Sequence, residues 1–391
     1  MSEQHVETEH RVTPLELFFD LVFVFGLTQV TILMSDDPTW AGLGRGLLVL
    51  AALWWTWAGY AWLTNTLEPE ETVVRVAMVG AMAAMLVVAL AVPRAWGDDG
   101  VLFAVAYLVA RLLFLLLYGI AGKRDPEILV AVLRLAPTAI LAPGLLIVAG
   151  FLDGTAQAAL WLATLTAEYV GGILAGSEGW RVSPAHFAER HGLIVIIALG
   201  ESIVAVGIGA AGLELGGGLV TAGVLAVIAV AALWWAYFDV YAVMAQHQLE
   251  AMRGATRIRF ARDQYSYLHL PMIAGIVLFA LGLKKTLEHL DDPLETVPAV
   301  ALCGGIALYF LSHVVMRIRS VHALRRTGTS RAWFGVGRPA ATVAALALIP
   351  VALELSALAA LALVTAVCCV LIVYDVVHYR EERSQIREAR P

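Results

Sequence analysis

Charged residues are scarce in this sequence: Asp, Glu, Lys and Arg together make up 15% of its 391 residues. A soluble domain carries about a quarter charged residues, so the composition excludes an ordinary soluble protein. The basic loop at residues 253–262 is better explained as a topology signal than as a nucleic-acid patch, and the sequence contains no P-loop, nucleophile-elbow or HExxH motif. We therefore expect no nucleic-acid partner, and we expect that the protein is not an enzyme.

Cysteine is also rare, and no basic segment precedes the first apolar run. The three cysteines, Cys303, Cys368 and Cys369, lie inside apolar runs without the spacing of a zinc site or of a disulfide framework. We therefore predict no metal and no other cofactor. The chain is hydrophilic through Pro14 and has no basic segment before its first apolar run, so a cleaved signal peptide is not expected.

Long hydrophobic runs are what the sequence has in abundance. Hydrophobic residues make up 60% of the chain, and the mean hydropathy is +0.79. Runs of about 20 residues, the length that crosses a bilayer as a helix, recur throughout. The sequence predicts an all-α polytopic membrane protein with twelve transmembrane helices, at residues 15–34, 43–64, 73–93, 100–121, 131–150, 155–176, 190–212, 218–246, 266–287, 296–318, 338–354 and 356–379.

The basic residues predict how these spans are oriented. With both termini in the cytoplasm, all but five of the Lys and Arg residues fall on the cytoplasmic side, as the positive-inside rule requires. Four lie on the other side: Arg45, Arg94, Lys284 and Lys285. The fifth, Arg111, lies within a span.

The two halves of the chain resemble each other. The tetrapeptide ALWW occurs at Ala52–Trp55 and again at Ala232–Trp235, in the second span of each half. We therefore predict two six-helix repeats, residues 1–176 and 190–379, joined by residues 177–189 and followed by a cytoplasmic tail at 380–391. Because six is even, the repeats would run parallel about an axis along the membrane normal.

Acidic residues inside the spans are the candidates for proton or ion coupling. Glu201 lies about two thirds of the way along an otherwise apolar helix, where a carboxylate is costly and usually marks a pathway or ligand. Glu16 and Asp20 are four residues apart and share a helix face. Each of these two could equally be a helix-edge carboxylate paired with arginine. Two further carboxylates within spans complete this set: Glu168 and Asp239.

Several other groups are candidates for contacting a substrate or a counter-ion. Arg111 needs a carboxylate at its depth, so we expect it to pair with Glu168 or Glu201, either structurally or for transport. Histidines in the spans could relay protons or simply be hydrogen-bonded, and the tryptophans could form interfacial belts or wall a cavity. The remaining candidates are Arg190, His191, Ser202, Gln29, His269, Trp54, Trp55, Trp234 and Trp235.

Three stretches resemble a known family. LELFFDLVFVFGLTQVT at Leu15–Thr31, HFAERHGLIVIIALGESIVAVG at His186–Gly207 and YLHLPMIAGIVLFALG at Tyr267–Gly282 are similar to signature segments of the bacterial low-temperature-requirement A family. The resemblance implies a multi-pass protein of the bacterial cytoplasmic (inner) membrane and little about mechanism. The matching polar positions are Glu16, Asp20, Gln29, Glu189, Arg190, His191, Glu201, Ser202 and His269.

These observations favour a transport protein, coupled to protons, whose site lies between the two repeats. One alternative is a cation or proton channel, possible as a homodimer; the FFD of the first helix resembles the F-S-D motif of a potassium-channel family, with Phe19 in place of serine. Another is a lipid-binding or lipid-modifying protein of cold adaptation, which would use His186, Glu189, Arg190 and His191 at headgroup level. The expected partners are membrane lipids and a small solute or ion.

Overall fold

The computed structural model describes residues 12–67, 71–324 and 335–380, and these form a multi-helix membrane protein, as predicted. The twelve long helices are α1 Pro14–Asp36, α2 Trp40–Leu63, α3 Thr72–Arg94, α4 Gly100–Gly122, α5 Pro126–Ala149, α6 Gly154–Leu174, α7 Pro184–Gly209, α8 Gly217–Ala251, α9 Gly254–Glu288, α10 Thr296–Val321, α11 Gly337–Ala352 and α12 Ala357–His378.

Within the described residues, ten of the helices are long and apolar enough to cross a membrane. The other two are α6, which does not reach the same hydropathy, and α11, which has 16 residues. Leucine and valine side chains on the outer faces of most helices remain exposed, as lipid-facing positions would. The prediction of twelve spans is confirmed for ten of them.

Two helices are longer than predicted. Helices α8 and α9 each extend over 35 residues, beyond the predicted spans 218–246 and 266–287. Each continues through a π-helical turn, at Tyr237–Tyr241 in α8 and Arg262–Tyr267 in α9. A π-helical turn inserts one residue into the helical ladder without ending the helix, and such turns often occur at functional sites.

The break between the last two helices lies close to the predicted one. The predicted spans were 338–354 and 356–379, and the observed helices are Gly337–Ala352, with Pro350 inside it, and Ala357–His378. The next helix begins at Ala357, where the Ser356 hydroxyl accepts a hydrogen bond of 3.4 Å from the backbone nitrogen of Ala359. Proline close to the end of α11 is tolerated because that helix stops within its next turn.

The helices pack in the same order in each half of the chain. In the first half α1 packs on α2 and α3, α2 on α6, α3 on α4, α4 on α5, and α5 on α6. In the second half α7 packs on α8 and α9, α8 on α12, α9 on α10, α10 on α11, and α11 on α12. Helices α1 and α2 of the first half meet α7 and α9 of the second. We call the contact between α1 and α7 the central seam; the sequence duplication itself remains a prediction.

Glycine allows α9 and α10 to approach each other closely. A Cβ atom at Gly275 would lie 2.7 Å from the carbonyl oxygen of Gly305, and one at Gly305 would lie 2.6 Å from the carbonyl oxygen of Gly275. Both obstacles are backbone atoms, which cannot rotate away. Small residues of this kind let helix backbones pack tightly where lipid supplies no hydrophobic drive.

We predict that Gly275→Ala lowers the free energy of unfolding by about 1–3 kcal/mol, the usual cost of overpacking. The matched control is Gly223→Ala on α8, where an added Cβ meets nothing within 4 Å. Thermal unfolding of the two purified variants in detergent measures the difference. Equal unfolding temperatures would mean that α9 and α10 do not depend on this contact.

Candidate functional site

The central seam contains a cluster of buried charges. Arg190 of α7 donates a hydrogen bond of 2.9 Å from Nη2 to Oδ1 of Asp20 on α1, and its Nε lies 4.0 Å from Oε1 of Glu16. His186 Nε2 lies 3.0 Å from the same Glu16 oxygen. The indole nitrogen of Trp57, on α2, donates to Asp20 Oδ1 at 2.8 Å. We call these five residues the seam charge cluster.

The start of α1 explains why Glu16 lies where it does. Thr13 caps the helix, and its backbone nitrogen donates to Glu16 Oε2 at 2.8 Å, while its side chain accepts from the backbone nitrogen of Glu16. This reciprocal capping box satisfies two of the free donors at a helix start. Glu16 therefore both caps α1 and holds His186 of α7, and its neighbour Asp20 follows one turn later on the same face.

The seam charge cluster has more polar atoms than partners. In the part of the chain that the structure describes, Asp20 Oδ2 and the Nε and Nη1 atoms of Arg190 are buried without a hydrogen-bond partner. Asp20, Glu16 and Arg190 are fully buried. Buried polar atoms are normally satisfied, and exceptions call for an explanation such as a bound ion, a water or a catalytic or redox role.

Glu201 lies further along the central seam with a single hydroxyl as its partner. Thr28 of α1 donates a hydrogen bond of 2.6 Å to Glu201 Oε2, while Oε1 has no hydrogen-bond partner among the described residues. Glu201 and its neighbour Ser202 are fully buried. No ion pair joins Glu201 to a cation in the described structure. The hydrogen-bond partner of Glu201 therefore lies on another helix.

The predicted histidines belong to a buried network with tyrosines. His269 Nε2 lies 2.9 Å from the Tyr237 hydroxyl, and its ring centre lies 5.3 Å from that of His191. The Nδ1 atoms of His191 and His313 lie 2.8 Å and 2.9 Å from backbone carbonyls, which makes Nε2 the acceptor in each neutral ring. Those two Nε2 atoms have no hydrogen-bond partner among the described residues.

Arg111 forms the ion pair that the sequence predicted as one of two choices. Its Nε lies 3.2 Å from Oε1 of Glu168, and both side chains are buried. Tyr107, one turn earlier on α4, donates from its hydroxyl to Glu168 Oε2 at 2.6 Å. The guanidinium carbon lies 5.0 Å from the ring centre of Phe114, within cation–π range.

Arg111 also borders a cavity of about 70 Å³ between α2, α4, α6 and α9, which we call the aromatic cavity. Helix α2 is held to α9 here, because the indole nitrogens of Trp54 and Trp62 donate to the backbone oxygen and the hydroxyl of Ser266. Six aromatic side chains line the cavity: Trp55, Trp62, Phe114, Tyr118, Trp180 and Tyr267.

The structure separates the two tryptophan pairs. Trp55 lies on the aromatic cavity and Trp54 lies beside it, bound to α9. Trp234 and Trp235 instead lie on the outer surface, 45% and 40% exposed. The expectation that both pairs line one site therefore does not fit Trp234 and Trp235, whose exposure fits the interfacial belt that the sequence left open.

Two other predicted residues lie in half-buried positions. Gln29 follows Thr28 on α1, and Asp239 lies in the π-helical turn of α8. Glu189, a position of the family resemblance, accepts a hydrogen bond of 3.2 Å from the backbone nitrogen of Val12.

Sequence reasoning missed two buried cations, Arg338 and Lys284. Arg338 was counted only as an orientation signal, yet it is buried and donates at 2.9 Å to Asp375 of α12. Lys284 was likewise counted only among the basic residues of an outer segment. The same sequence feature could have indicated both residues. Each is a basic residue at the end of an apolar run, and a neighbouring helix can bury the end of such a run.

The fold and these buried charges define a polytopic α-helical membrane protein with ionisable groups inside its helical bundle. The chain belongs to the family described as bacterial low temperature requirement A protein (LtrA), whose model matches residues 11–373. It is also 32% identical, over 318 residues, to an uncharacterized protein of Rhizobium meliloti (strain 1021), a match that covers 77% of this chain and 76% of that protein.

We predict that Arg190→Gln destabilises the protein by about 3–5 kcal/mol, because it leaves two buried carboxylates without their cation. Arg94→Gln is the matched control: Arg94 pairs with Asp99 at the surface and is 67% exposed, so its loss should cost less than about 1 kcal/mol. Thermal unfolding in detergent compares the two.

Adding Asp20→Asn to Arg190→Gln should restore part of the lost stability, since one uncompensated charge is removed. If the Arg190→Gln and Arg94→Gln variants had the same free energy of unfolding, the seam charge cluster would not stabilise the fold.

Proposed function

We propose that this protein is a proton-coupled membrane transporter of a small solute or ion, and that Glu201 is its coupling group. One observation carries the proposal: a fully buried carboxylate lies on the central seam with a threonine hydroxyl as its hydrogen-bond partner and no ion pair in the described structure. Ionisable residues held at a cost inside membrane helices usually mark ion or proton pathways.

The helix order supports a seam that can move. The same packing order in both halves is what a duplicated six-helix unit would give, and α1 and α7 would then be equivalent helices. Transporters built from repeats alternate access by moving one repeat against the other about a site between them. The contacts that cross the seam between charged or polar side chains, among them Thr28 with Glu201, Asp20 with Arg190 and Glu16 with His186, would then change with that motion.

The seam offers groups for proton movement at two levels. Arg190 and Glu201 are eleven residues apart on α7, which is about 16 Å along a helix axis. The seam charge cluster lies at the first level and Glu201 at the second. The buried His191 and His269 lie beside the cluster with a ring-centre separation of 5.3 Å. Water between these levels would complete the route.

The contacts of the polar residues near the start of α7 support a role other than catalysis. A lipid-modifying site would need His186 and Arg190 free to reach a headgroup, but both are buried and contact Glu16 and Asp20. An ion channel is the second candidate, and it would use the same central seam without coupling to another solute. In either case we propose lipids as the surrounding partner, the bacterial inner membrane as the location and both termini in the cytoplasm.

The test is flux into proteoliposomes that contain a pH-sensitive dye, under imposed K⁺, Na⁺ and H⁺ gradients. We predict gradient-driven flux by the wild type and its loss in Glu201→Gln, which keeps the side-chain shape but removes the exchangeable charge. Glu214→Gln is the matched control, because Glu214 is exposed in the loop before α8, and it should retain full flux.

Saturable flux that couples the proton to a second solute supports the transporter, whereas fast flux that does not saturate supports the channel. Full activity of Glu201→Gln would contradict the assignment of Glu201 as coupling group. A wild type with no flux under any of the three gradients would contradict ion-driven transport.

A further inference from the structure

The aromatic cavity is lined by a cation that makes no hydrogen bond among the described residues. Arg111 Nε lies 3.2 Å from Glu168 Oε1 as an ion pair, but neither atom has a hydrogen-bond partner, and in the described part of the chain the two Nη atoms make no hydrogen bond either. The Arg111 side chain lines the cavity and is 1% exposed. A buried guanidinium with free outer donors is costly unless something accepts from them.

Space at this end of the cavity is provided by a glycine. A Cβ atom at Gly59 of α2 would lie 3.5 Å from Nη1 of Arg111 and 3.1 Å from the ring of Phe114. Any larger residue would therefore enter the space in front of the guanidinium. Gly59 and Arg111 both line the cavity, so a side chain at this position would occupy space beside Nη1.

The chemistry of the donors selects the ligand. The two Nη groups of an arginine form parallel hydrogen bonds with the two oxygens of a carboxylate. The remaining wall is largely aromatic, which suits an apolar body. The cavity of about 70 Å³ has room for roughly four or five water-sized groups, and an engineered cavity of about 150 Å³ holds benzene. We propose that the aromatic cavity is a binding site for a short-chain carboxylate of acetate size, held by Arg111.

A surface groove at the loop after α6 adjoins the aromatic cavity. The groove, of about 790 Å³, shares Trp180 and Ile258 with the aromatic cavity, and it is lined by Arg134, Arg181 and Arg257. Glu127 and Glu178 also line this groove. Trp180 packs edge-on against Trp62, with ring centres 6.1 Å apart, so it lies between groove and cavity as the side chain that an entering ligand would pass.

The ion pair with Glu168 explains how the site could release its ligand. Glu168 neutralises Arg111, so the bound carboxylate competes with a charge that is already present. Removing the Glu168 charge should therefore strengthen binding, because Arg111 would then have no other anion. This site is separate from the central seam, and equilibrium binding here does not depend on the proposed transport.

The test is isothermal titration of acetate into the purified protein in detergent, with chloride and ionic strength held constant. Acetamide, which has the same shape but no charge, is the matched probe. We expect acetate to bind and acetamide not to bind. Gly59→Ala should weaken acetate binding about tenfold or more, as expected for loss of a charge-assisted hydrogen bond. Gly44→Ala on the same helix, where an added Cβ meets nothing within 4 Å, should bind like the wild type.

A variant that removes both charges of the ion pair separates loss of binding from loss of folding. Arg111→Gln combined with Glu168→Gln leaves no buried charge unpaired and should abolish acetate binding, whereas Glu168→Gln alone should increase it. The proposal would be overturned if the wild type did not bind acetate, or if it bound acetate and acetamide equally. It would also be overturned if the variant with both Arg111→Gln and Glu168→Gln bound acetate as the wild type does. Failure of Glu201→Gln to affect flux would leave it intact, because the two experiments measure different sites.

Discussion

The contact of Arg190 with Asp20 and Glu16 joins the two halves of the chain where neither lipid nor protein interior can solvate a charge. Two carboxylates of α1 and one guanidinium of α7 are fully buried together. Desolvation of such groups costs several kcal/mol each, and their attraction repays it only with good geometry. In the conformation described here, charge pairing therefore sets the position of α1 against α7. Thr28 and Glu201 then meet further along the same two helices.

The sequence predicted the class and helix count well because hydrophobic length is a local property. It also identified the four carboxylates that are fully buried among the described residues: Glu16, Asp20, Glu168 and Glu201. Partner choice was harder: Arg111 with Glu168 was one of two alternatives, and Arg190 was given no specific partner. In space, Arg190 faces Asp20 across 170 positions of sequence. Such a pairing depends on how α1 and α7 are packed, which helical periodicity does not report for segments that are apolar all round.

The repeated ALWW tetrapeptide shows why similarity between halves does not transfer to a site. Trp55 of the first copy faces α9 and the aromatic cavity, whereas Trp234 and Trp235 of the second face outward. A π-helical turn begins at Tyr237, two residues after Trp235, and each such turn changes the register of side chains on either side. The π-helical turns of α8 and α9 could not be predicted from a periodicity of 3.6 residues per turn. They contain Tyr237, Tyr241, Gln264, Tyr265 and Ser266, which contribute to the buried histidine network and to the contacts with α2.

Charge therefore serves two distinct purposes in this bundle. The seam charge cluster has two carboxylates for one guanidinium, and Glu201 adds a further carboxylate on the same helix pair. A region with excess carboxylate favours protons and cations. At Arg111 one guanidinium pairs with one carboxylate, that of Glu168. The Nη groups of Arg111 are left to bind a ligand in the aromatic cavity, and this favours an anion with an apolar body. Because α2 contacts Asp20 through Trp57 and borders the aromatic cavity through Trp55, a shift of α2 would act on both regions. That helix is the physical link through which occupancy of the cavity and motion of the seam could be coupled.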